Sequence, residues 1–596
     1  MKSKSSIAAL LLAVFTLGWA TSCEDMFDID SNRVVYDHDI KSTADSVYTT
    51  LGILTCMREV ADRYVILGEV RGDMADINKN TKASLRSLAT FDFDDYDKNE
   101  ENEYLNVRDY YAIINNCNYA LANMDAGLTL SNKLVMMDEY VAILGIRAWT
   151  YLQLAINYGD IYYYTYPVVS ESDVEKAKAE GKKNIKDVAA DLALQLTPYL
   201  DYDMPSFVST QKYYPLLRLV QGDLYLWSGD YTSAIKCYED FFMKNKKYSF
   251  TAGKASEPGY MNLGGYFQKW KDADKKMTGN LENYVEEVSE DEYSTFLGDE
   301  NFSFIINTSE LPGLFVSGDD SHHLNPSAAW HTLSSQQVVF SFIKGDGKTT
   351  LDSVYKNKDL GELRKYRYYE KQAPKDIEEF GVYLKHSGTG INYYRRSLAC
   401  LRWAEAMNAQ AQVLYSADEN SSEARKNAVN AFYLLKDASR VFFPDSSEVM
   451  KRFLKAADNE DQWRTPFMGV HGRGCGDVRH DTLIYVLKPA VIANRLKKNA
   501  SDIDFSDTIE YIDELIIDEL ALESTLEGNR FGDLVRFAKR REAWTPELYD
   551  INSTNYRHFL AKRVSERGGE DTPEEERQTL YNKLNESEKY WYLPFQ

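Results

Sequence analysis

The chain has 596 residues, of which 69 are Lys or Arg and 92 are Asp or Glu, so its formal net charge is −23. An acidic chain without a basic stripe has little to neutralise phosphates, which argues against a nucleic-acid partner. No Pro-, Gly- or Ser-rich linker divides the sequence. We therefore predict one large unit rather than a string of small domains.

The N-terminus has the features of a secretion signal. Lys2 and Lys4 precede an apolar stretch, Ile7–Ala20, which is too short to stay in a bilayer as a helix. Small residues and then Cys23 follow, a pattern that resembles a bacterial lipobox. We expect residues 1–22 to be a lipoprotein signal peptide and Cys23 to carry acyl chains that anchor the protein. The alternative is plain secretion with a free thiol at Cys23.

Two acidic residues, Glu24 and Asp25, directly follow the predicted lipidation site. They resemble the signal that sends Bacteroidetes-type lipoproteins to the outer face of the outer membrane. The expected location is therefore the outer membrane, with the protein facing the cell exterior.

The N-terminal part of the mature chain shows the period of amphipathic helices. A glycine, Gly159, follows the longest of them and is expected to stop it. The predicted helices are Ser42–Met57, Asn106–Asp125, Val135–Tyr158 and Ile185–Leu200.

The segment Tyr214–Phe242 indicates the type of scaffold. Two amphipathic stretches flank a short turn, and their small and aromatic residues have the offsets of a tetratricopeptide (TPR) helix pair. Gly222 and Ala234 are small enough to let two helices approach closely, Tyr238 fills space beside them, and Gly229 supplies the turn. An ordinary helical hairpin with chance spacing is the alternative.

A second helical pair is predicted at Ser397–Arg440. One hairpin cannot bury its own apolar face, so such pairs must stack on one another. We predict a mostly α, TPR-like helical-repeat scaffold with long irregular loop excursions and a few short strands. The helical body covers about 40–248 and 395–596, and a loop-rich excursion covers about 249–394, with short strands expected at Phe302–Ser309 and Gln337–Ile343.

The C-terminal part is also predicted to be helical, over Thr508–Leu526 and Phe531–Arg541, and its apolar end, Tyr590–Phe595, is expected to dock on the body. Charged residues alternate at helical spacing around the break between these two helices. We expect Arg530 or Arg536 to pair with the glutamates of the first helix and join the two helices. These charges are Glu519, Glu523, Arg530, Asp533 and Arg536.

The sequence predicts neither a metal centre nor a cofactor. Cys117, Cys237 and Cys400 fall in helical patterns and are expected to be buried free thiols. Asp95–Asn99 has the odd-numbered acidic spacing of a calcium loop but lacks its glycine, and His322–His323 is predicted to be a solvated loop. No H-E-x-x-H, G-x-S-x-G or P-loop motif occurs, so we predict that the protein is not an enzyme.

Motifs spread over nearly the whole chain resemble the SusD/RagB family of nutrient-binding outer-membrane lipoproteins. The family usually has a Glu-Arg pair where Ile517–Asp518 stands here. The resemblance implies one SusD-like domain over residues 23–596. The motifs are the lipobox at Cys23, Gly68–Met74 (GEVRGDM), Tyr110–Leu121, Ile146–Tyr164, Leu401–Ala411, Ile516–Phe537 and the terminal YLPF.

The function that this resemblance implies is cell-surface glycan binding, with delivery of the oligosaccharide to a SusC-type TonB-dependent outer-membrane transporter. Sugar C–H faces stack on aromatic rings, while Asp, Asn and Arg meet hydroxyl groups. In the family the ligand surface lies on loops above the helical body. The residues that fall there are Arg71, Asp73, Tyr96, Tyr104, Tyr266, Trp270, Asn325 and Trp330.

Three other functions stay open at this point. A RagB-type relative would capture peptides instead of glycans. A surface glycoside hydrolase would use a pair of carboxylates, but the abundant acids of this chain single out no such pair. An assembly adaptor would bind the transporter without needing the aromatic residues Trp270 and Trp330.

Overall fold

A computed structural model describes most of the helical body. The described residues are 40–93, 102–205, 213–244, 324–334, 390–436, 487–544 and 556–595, with five further strand segments between 301 and 383 and the single residues Leu311 and Leu314. The lipidation site, most of the excursion, and the candidate calcium and histidine loops lie outside this part of the chain.

Each helix predicted for the first half is present, with bounds that agree to within a few residues, and the structure adds three helices that were not predicted, Ala61–Glu69, Ala83–Thr90 and Glu171–Glu180. Ser42 caps the first helix with a capping box: its side chain accepts the N–H of Asp45, whose carboxylate accepts the N–H of Ser42. The helices are α1 Thr43–Glu59, α2 Ala61–Glu69, α3 Ala83–Thr90, α4 Arg108–Asn123, α5 Met137–Tyr158, α6 Glu171–Glu180, α7 Ile185–Leu196, α8 Leu217–Ser228 and α9 Tyr231–Lys244.

Of the second-half helices whose bounds the structure describes, a short one lies inside the excursion and the others follow it. They are α10 Ala328–Ser334, α11 Arg396–Ala417, α12 Ser422–Lys436, α13 Pro489–Leu496, α14 Phe505–Ser524, α15 Arg530–Trp544, α16 Tyr556–Ser565 and α17 Glu574–Glu586. Short 3-10 turns lie at Glu103–Leu105, Thr197–Tyr199, Ala500–Asp502, Gly569–Asp571 and Glu588–Tyr590.

Strands are few and short, and those that the structure describes form antiparallel two-stranded ribbons. The pairs are β1 Ala75–Ile77 with β7 Leu324–Pro326, β2 Thr129–Leu130 with β3 Lys133–Leu134, β4 Ile161–Tyr162 with β5 Lys182–Lys183, β6 Asn301–Ile306 with β12 Gly390–Arg395, β8 Phe342–Ile343 with β9 Thr349–Thr350, and β10 Tyr369–Glu370 with β11 Val382–Tyr383.

The hairpin of α8 and α9 has the predicted geometry. Gly229 ends α8 with φ at +86°, a conformation that favours glycine. A Cβ atom on Gly222 would lie 2.9 Å from the ring of Tyr238, so only glycine lets the ring pack against the α8 backbone. The Tyr238 hydroxyl donates a 2.6 Å hydrogen bond to Asp223, which fixes the ring in place.

We expect Gly222→Ala to destabilise the protein by about 1–3 kcal/mol, because the added methyl group forces a fully buried ring to move. Denaturant unfolding of the purified protein would measure this. Gly52→Ala is the control, since Gly52 is exposed in α1 and a Cβ atom there would meet nothing within 4 Å. An unchanged unfolding midpoint for Gly222→Ala would contradict the prediction.

The second predicted hairpin, α11 with α12, packs directly against the first although more than 150 residues separate them in sequence. Helix α11 also contacts α14, and α15 continues through α16 to α17. The apolar face of each hairpin is thus covered by the next one, as the stacking argument requires. The predicted mostly α scaffold of paired helices is confirmed.

The excursion returns to the body through β6 and β12. Tyr393 and Tyr394 on β12 are buried, and their hydroxyls donate to the carbonyl of Tyr213 at 2.7 Å and to Asp223 at 2.8 Å. The strand predicted at Phe302–Ser309 corresponds to β6, whereas the structure describes only Phe342–Ile343 of the one predicted at Gln337–Ile343.

The C-terminal segment is tied onto the body, as predicted. Trp591 is fully buried and its indole N–H donates to the carbonyl of Leu584 at 2.8 Å. The backbone N–H of Leu593 donates to the carbonyl of Asn157 at 2.9 Å, at the end of α5. We call residues 588–595 the C-terminal strap.

Four cysteines are described, and all of them are free thiols. Cys117, Cys237 and Cys400 are buried, as predicted, while Cys56 is partly exposed. Burial raises the pKa of the Cys237 thiol to about 12, although the nearby Arg218 opposes that shift. None of the helices in the described ranges combines the length and the apolarity that crossing a bilayer requires.

Candidate functional site

The two segments predicted to carry the ligand surface meet in the β1–β7 ribbon. Asp76 pairs with Asn325, between the pairs Ala75–Pro326 and Ile77–Leu324. About 250 residues separate the two strands in sequence. The segment after the first helices and the mid-chain excursion therefore come together at this ribbon.

The outer end of the ribbon carries amide and guanidinium groups. The Asn78 amide donates to Asn325 Oδ1 at 3.0 Å, and the backbone N–H of Asn78 donates to the Thr81 hydroxyl at 2.7 Å. Arg86, exposed on α3, donates to the Asn78 carbonyl at 2.7 Å. Asn78 and Asn325 are only half-buried, so they present polar atoms at the surface in an orientation that these bonds fix.

Beneath the ribbon, the buried Arg567 holds three backbone segments together. Its guanidinium donates to the carbonyls of Val70 at 2.9 Å and Ala89 at 2.6 Å, and its Nε lies 3.4 Å from the Asp76 carboxylate. Burial lowers the pKa of Arg567, while Asp76 opposes the shift. The ribbon and α3 thus share a rigid base.

A buried ion pair fixes the chain where it enters β1. Arg530 meets the Asp73 carboxylate through two hydrogen bonds, of 2.5 Å and 2.8 Å, with both side chains 1% exposed. Burial alone would raise the pKa of Asp73, but Arg530 outweighs it and the pKa lies below the ordinary value. The Ser327 hydroxyl, just after β7, donates to the Asp73 carbonyl at 2.5 Å.

Arg71 and Asp73 therefore form internal contacts, not the ligand surface for which they were predicted. Arg71 is completely buried, donates to the carbonyls of Leu67 at 3.0 Å and Trp591 at 3.2 Å, and lies 3.9 Å over the ring of Phe531. Its donors bind α2, the C-terminal strap and the Asn157 side chain on α5, so it has no polar atom at the surface to offer a ligand.

The other predicted site residues fall into two groups. Trp330 and Tyr104 are buried, at 3% and 8% exposure, so the described structure places their rings in the core, while Asn325 lies half-buried on the ribbon. The remaining predictions lie outside the described residues. These are Tyr96, Tyr266, Trp270 and the lipidation site Cys23.

The arginine pairing predicted for the last helices is wrong in its partners. Arg530 reaches Asp73 and donates to the Ile517 carbonyl at 2.8 Å, not to a glutamate side chain. Arg536 binds both oxygens of Glu405 on α11, at 2.8 Å and 2.7 Å, and also Asp533 at 2.7 Å. The charges join α15 to the segment before β1 and to α11 as well as to its sequence neighbour α14.

Glu523 pairs with Arg395, at the end of β12, with a 3.1 Å contact. The same guanidinium reaches Glu527 at 2.9 Å. The excursion is thereby attached to the break between α14 and α15 through a buried arginine that sequence reasoning did not select.

Sequence reasoning missed the residues that shape the ribbon surface, namely Asn78 and Arg86, and the supporting Arg567. A usable signal was the polar run Asn78–Asn80 directly after the GEVRGDM motif, since clustered Asn residues mark turns. Arg567 had no local signal, because its partners come from segments nearly 500 positions away. In the part of the chain that the structure covers, no group of three His, Cys, Asp or Glu side chains is arranged to hold a metal ion.

The protein is a helical-repeat scaffold: its α-hairpins stack on one another and carry a small β-ribbon, and buried ion pairs hold the ribbon in place. The chain is similar in structure to SusD superfamily proteins over most of its length. A SusD superfamily protein from Bacteroides thetaiotaomicron matches with 15% identity and a TM-score of 0.46, over 85% of this chain and 92% of that one. One from Bacteroides vulgatus matches with 12% identity and a TM-score of 0.47, over 87% and 95%.

A laminarin-binding SusD-like protein is also similar, with 14% identity and a TM-score of 0.41, over 86% of this chain and 95% of that one. No protein-family model matches the sequence, and no curated protein matches it. The sequence motifs described above resemble the same superfamily to which these solved structures belong.

Proposed function

We propose that the protein is a SusD/RagB-type binding lipoprotein that captures an oligosaccharide at the outer cell surface without cleaving it. The observation that carries the proposal is the β1–β7 ribbon, where Asn78, Asn325 and Arg86 present fixed amide and guanidinium groups at the junction of two segments far apart in sequence. Such groups are suited to sugar hydroxyls, which donate and accept hydrogen bonds.

The rigid base beneath the ribbon supports this proposal. Arg567 and the Asp73–Arg530 pair hold the ribbon backbone before any ligand arrives. A surface that is already ordered loses less conformational entropy on binding, so more of the interaction energy appears as affinity. The aromatic residues Tyr96, Tyr266 and Trp270 are proposed to complete the surface with stacking faces.

Binding of the purified mature protein to a broad panel of oligosaccharides would test the proposal. For a sugar that binds, the double variant Asn78→Ala/Asn325→Ala is expected to weaken affinity about tenfold, since each lost hydrogen bond contributes roughly 0.5–1.5 kcal/mol. Asn494→Ala is the control, because Asn494 is exposed on α13 and lies off the ribbon.

Other outcomes of the same panel separate the alternatives. Binding of peptide pools but of no sugar would replace the glycan by a peptide ligand, as in RagB-type uptake. Release of product from an oligosaccharide by the isolated protein would contradict the non-catalytic proposal and support a glycoside hydrolase. Equal affinity of the double variant and the parent protein for the sugar would mean that the sugar does not bind at the ribbon.

The proposal includes lipid anchoring at Cys23 and delivery of the sugar to a SusC-type TonB-dependent transporter. Both follow from the sequence motifs that resemble the family. Mass spectrometry of the mature N-terminus would show whether Cys23 is acylated, and Cys23→Ala should release the protein from membranes. Co-purification with a TonB-dependent transporter from the native membrane would test the partnership.

A further inference from the structure

The C-terminal strap forms one wall of a groove that the proposed function does not use. The groove has a volume of about 800 Å³ and shares no lining residue with the β1–β7 ribbon. Half-buried rings and lysine side chains face each other across it. The rings are Phe93, Tyr590, Tyr592 and Phe595, and the lysines are Lys182, Lys539, Lys583 and Lys589.

Each of the four lysines comes close to a ring of the strap. The ammonium of Lys182, on β5, lies 3.6 Å from the ring centre of Phe595, and that of Lys589 lies 4.6 Å from the ring centre of Tyr590. Lys583 and Lys539 lie 5.8 Å from Tyr590 and 5.9 Å from Tyr592, respectively. Cations at this distance from aromatic faces are attracted to them, which keeps the long side chains at the groove wall.

The groove is locally positive in a strongly acidic chain. Its lining contains four lysines but only two carboxylates, Asp160 and Glu588. Glu588 is occupied by Lys539, at 2.6 Å, and Lys583 is paired with Asp92, whereas Lys589 makes no ion pair with any residue of the described chain. Lys589 and Lys182 are both exposed, so their ammonium groups are accessible from solvent.

The strap that carries the rings is held rigidly. Its backbone is bonded to the end of α5 through Leu593, and Gly159 has a φ of +73° with the ring of Tyr592 packed directly on it. A Cβ atom at Gly159 would lie 2.9 Å from that ring, so the close approach depends on glycine. The aromatic faces are therefore positioned before a ligand binds.

We propose that this groove binds an acidic oligosaccharide, one whose pyranose rings carry carboxylates. The apolar C–H face of a pyranose can lie on a half-exposed aromatic ring, while its carboxylate pairs with Lys589 or Lys182. The volume lies in the range of about 300–1,000 Å³ that is typical of small-molecule sites. This is a second site, separate from the ribbon surface, and it takes a charged sugar where the ribbon offers groups for neutral hydroxyls.

Isothermal titration of the full mature protein with tetragalacturonate, and with cellotetraose as the neutral sugar, tests the proposal. We expect tetragalacturonate to bind. The double variant Lys182→Ala/Lys589→Ala should weaken the affinity for tetragalacturonate at least about tenfold, because two ion pairs are lost. Lys182→Arg/Lys589→Arg should retain most of the affinity. Lys133→Ala is the matched control, since Lys133 is an exposed lysine on β3 outside the groove.

Raising the salt concentration provides a second readout. Affinity for tetragalacturonate should fall markedly between about 0.05 M and about 0.5 M NaCl, because exposed charges are screened over a Debye length that shrinks with ionic strength. Cellotetraose binding, if it occurs, should change little over the same range.

Several results would overturn the groove site. These are no binding of tetragalacturonate, equal binding after Lys182→Ala/Lys589→Ala, or loss of binding in the ribbon variant Asn78→Ala/Asn325→Ala. Binding of an acidic peptide but not of the acidic sugar would also overturn it. Because the ribbon and lysine variants are measured separately, the groove proposal and the ribbon proposal can fail independently.

Discussion

Gly68→Ala is expected to destabilise the protein by about 3 kcal/mol or more, which places it among the most damaging single methyl additions available in this chain. A Cβ atom on Gly68 would lie 1.9 Å from the carbonyl oxygen of Gly528 and 2.4 Å from its carbonyl carbon. These are backbone atoms and cannot rotate away as a side chain would. Helix α2 and the loop between α14 and α15 touch through these two glycine backbones and must separate to admit the methyl group.

The surroundings of Gly528 add to this cost. Gly528 has a φ of +88°, and the next residue of α2, Glu69, accepts the backbone N–H of Gly528 at 2.8 Å and that of Leu526 at 3.0 Å. Pushing α2 away from the loop would strain or break these charge-assisted hydrogen bonds in a buried place. Loss of packing and loss of hydrogen bonds therefore reinforce each other.

Gly52→Ala is the matched control for Gly68→Ala. Gly52 lies in the neighbouring helix α1, is exposed, and has nothing within 4 Å of its virtual Cβ atom. Alanine is a better helix former than glycine by about 1 kcal/mol, so Gly52→Ala should be neutral or stabilising. Denaturant unfolding of both variants gives the comparison, and similar midpoints for the two would refute the steric argument.

Breaking the ion pair between Asp73 and Arg530 is expected to lower the free energy of unfolding by about 3–5 kcal/mol near neutral pH, because the remaining charge stays buried without its partner. Asp73→Asn leaves the Arg530 guanidinium facing a neutral amide, with both positions 1% exposed. Glu175→Gln is the control, because the Lys178–Glu175 pair at 3.4 Å is largely solvent-exposed on the Glu175 side and should contribute at most about 0.5 kcal/mol.

The effect of Asp73→Asn should depend on pH in a defined direction. Arg530 holds the folded-state pKa of Asp73 below its ordinary value despite the burial, so the carboxylate stabilises the fold above the unfolded-state pKa of about 3.9. That stability is lost as the pH falls through the lower, folded-state pKa. The free energies of unfolding of the parent protein and Asp73→Asn should therefore converge in acid. A difference that stays constant from neutral pH down to acid pH would contradict this account.

The helical architecture could be predicted from the sequence because its signals are local. The hairpin of α8 and α9 is specified within 30 residues by small residues at Gly222 and Ala234, the matching ring of Tyr238, and the turn at Gly229. The docking of the apolar C-terminal strap was readable for the same reason. Periodicity and turn chemistry act over a few residues, so they can be read from one sequence.

The role of the GEVRGDM motif could not be read in this way. The motif looked like a loop with polar residues available to a ligand, yet Gly68, Glu69, Arg71 and Asp73 all point into the body. Two of their partners, Gly528 and Arg530, lie more than 450 positions later in the chain. No periodic pattern links such distant positions, so burial of Arg71 and Asp73 was not apparent from sequence alone.

The ribbon surface shows the same limitation on a smaller scale. Each of its strands has only three residues, too few for an alternating pattern to stand out. Asn325 was selected because of the segment in which it lies, whereas its partner Asn78 was not. The two strands pair only because the long excursion returns to the body. The sequence indicates where this excursion lies but does not predict how it folds back.

The attachment of Arg71 to the Trp591 carbonyl spans 520 positions, and that of Asp73 to Arg530 spans 457. A nascent chain that has emerged only as far as its middle would lack the buried cation that pairs with Asp73 and the carbonyl of Trp591 that accepts from Arg71. The first helices can form early, but they cannot reach their final packing until Arg530 and Trp591 have been synthesised. Completion of the native packing around α2 thus waits for segments that are synthesised more than 450 positions later.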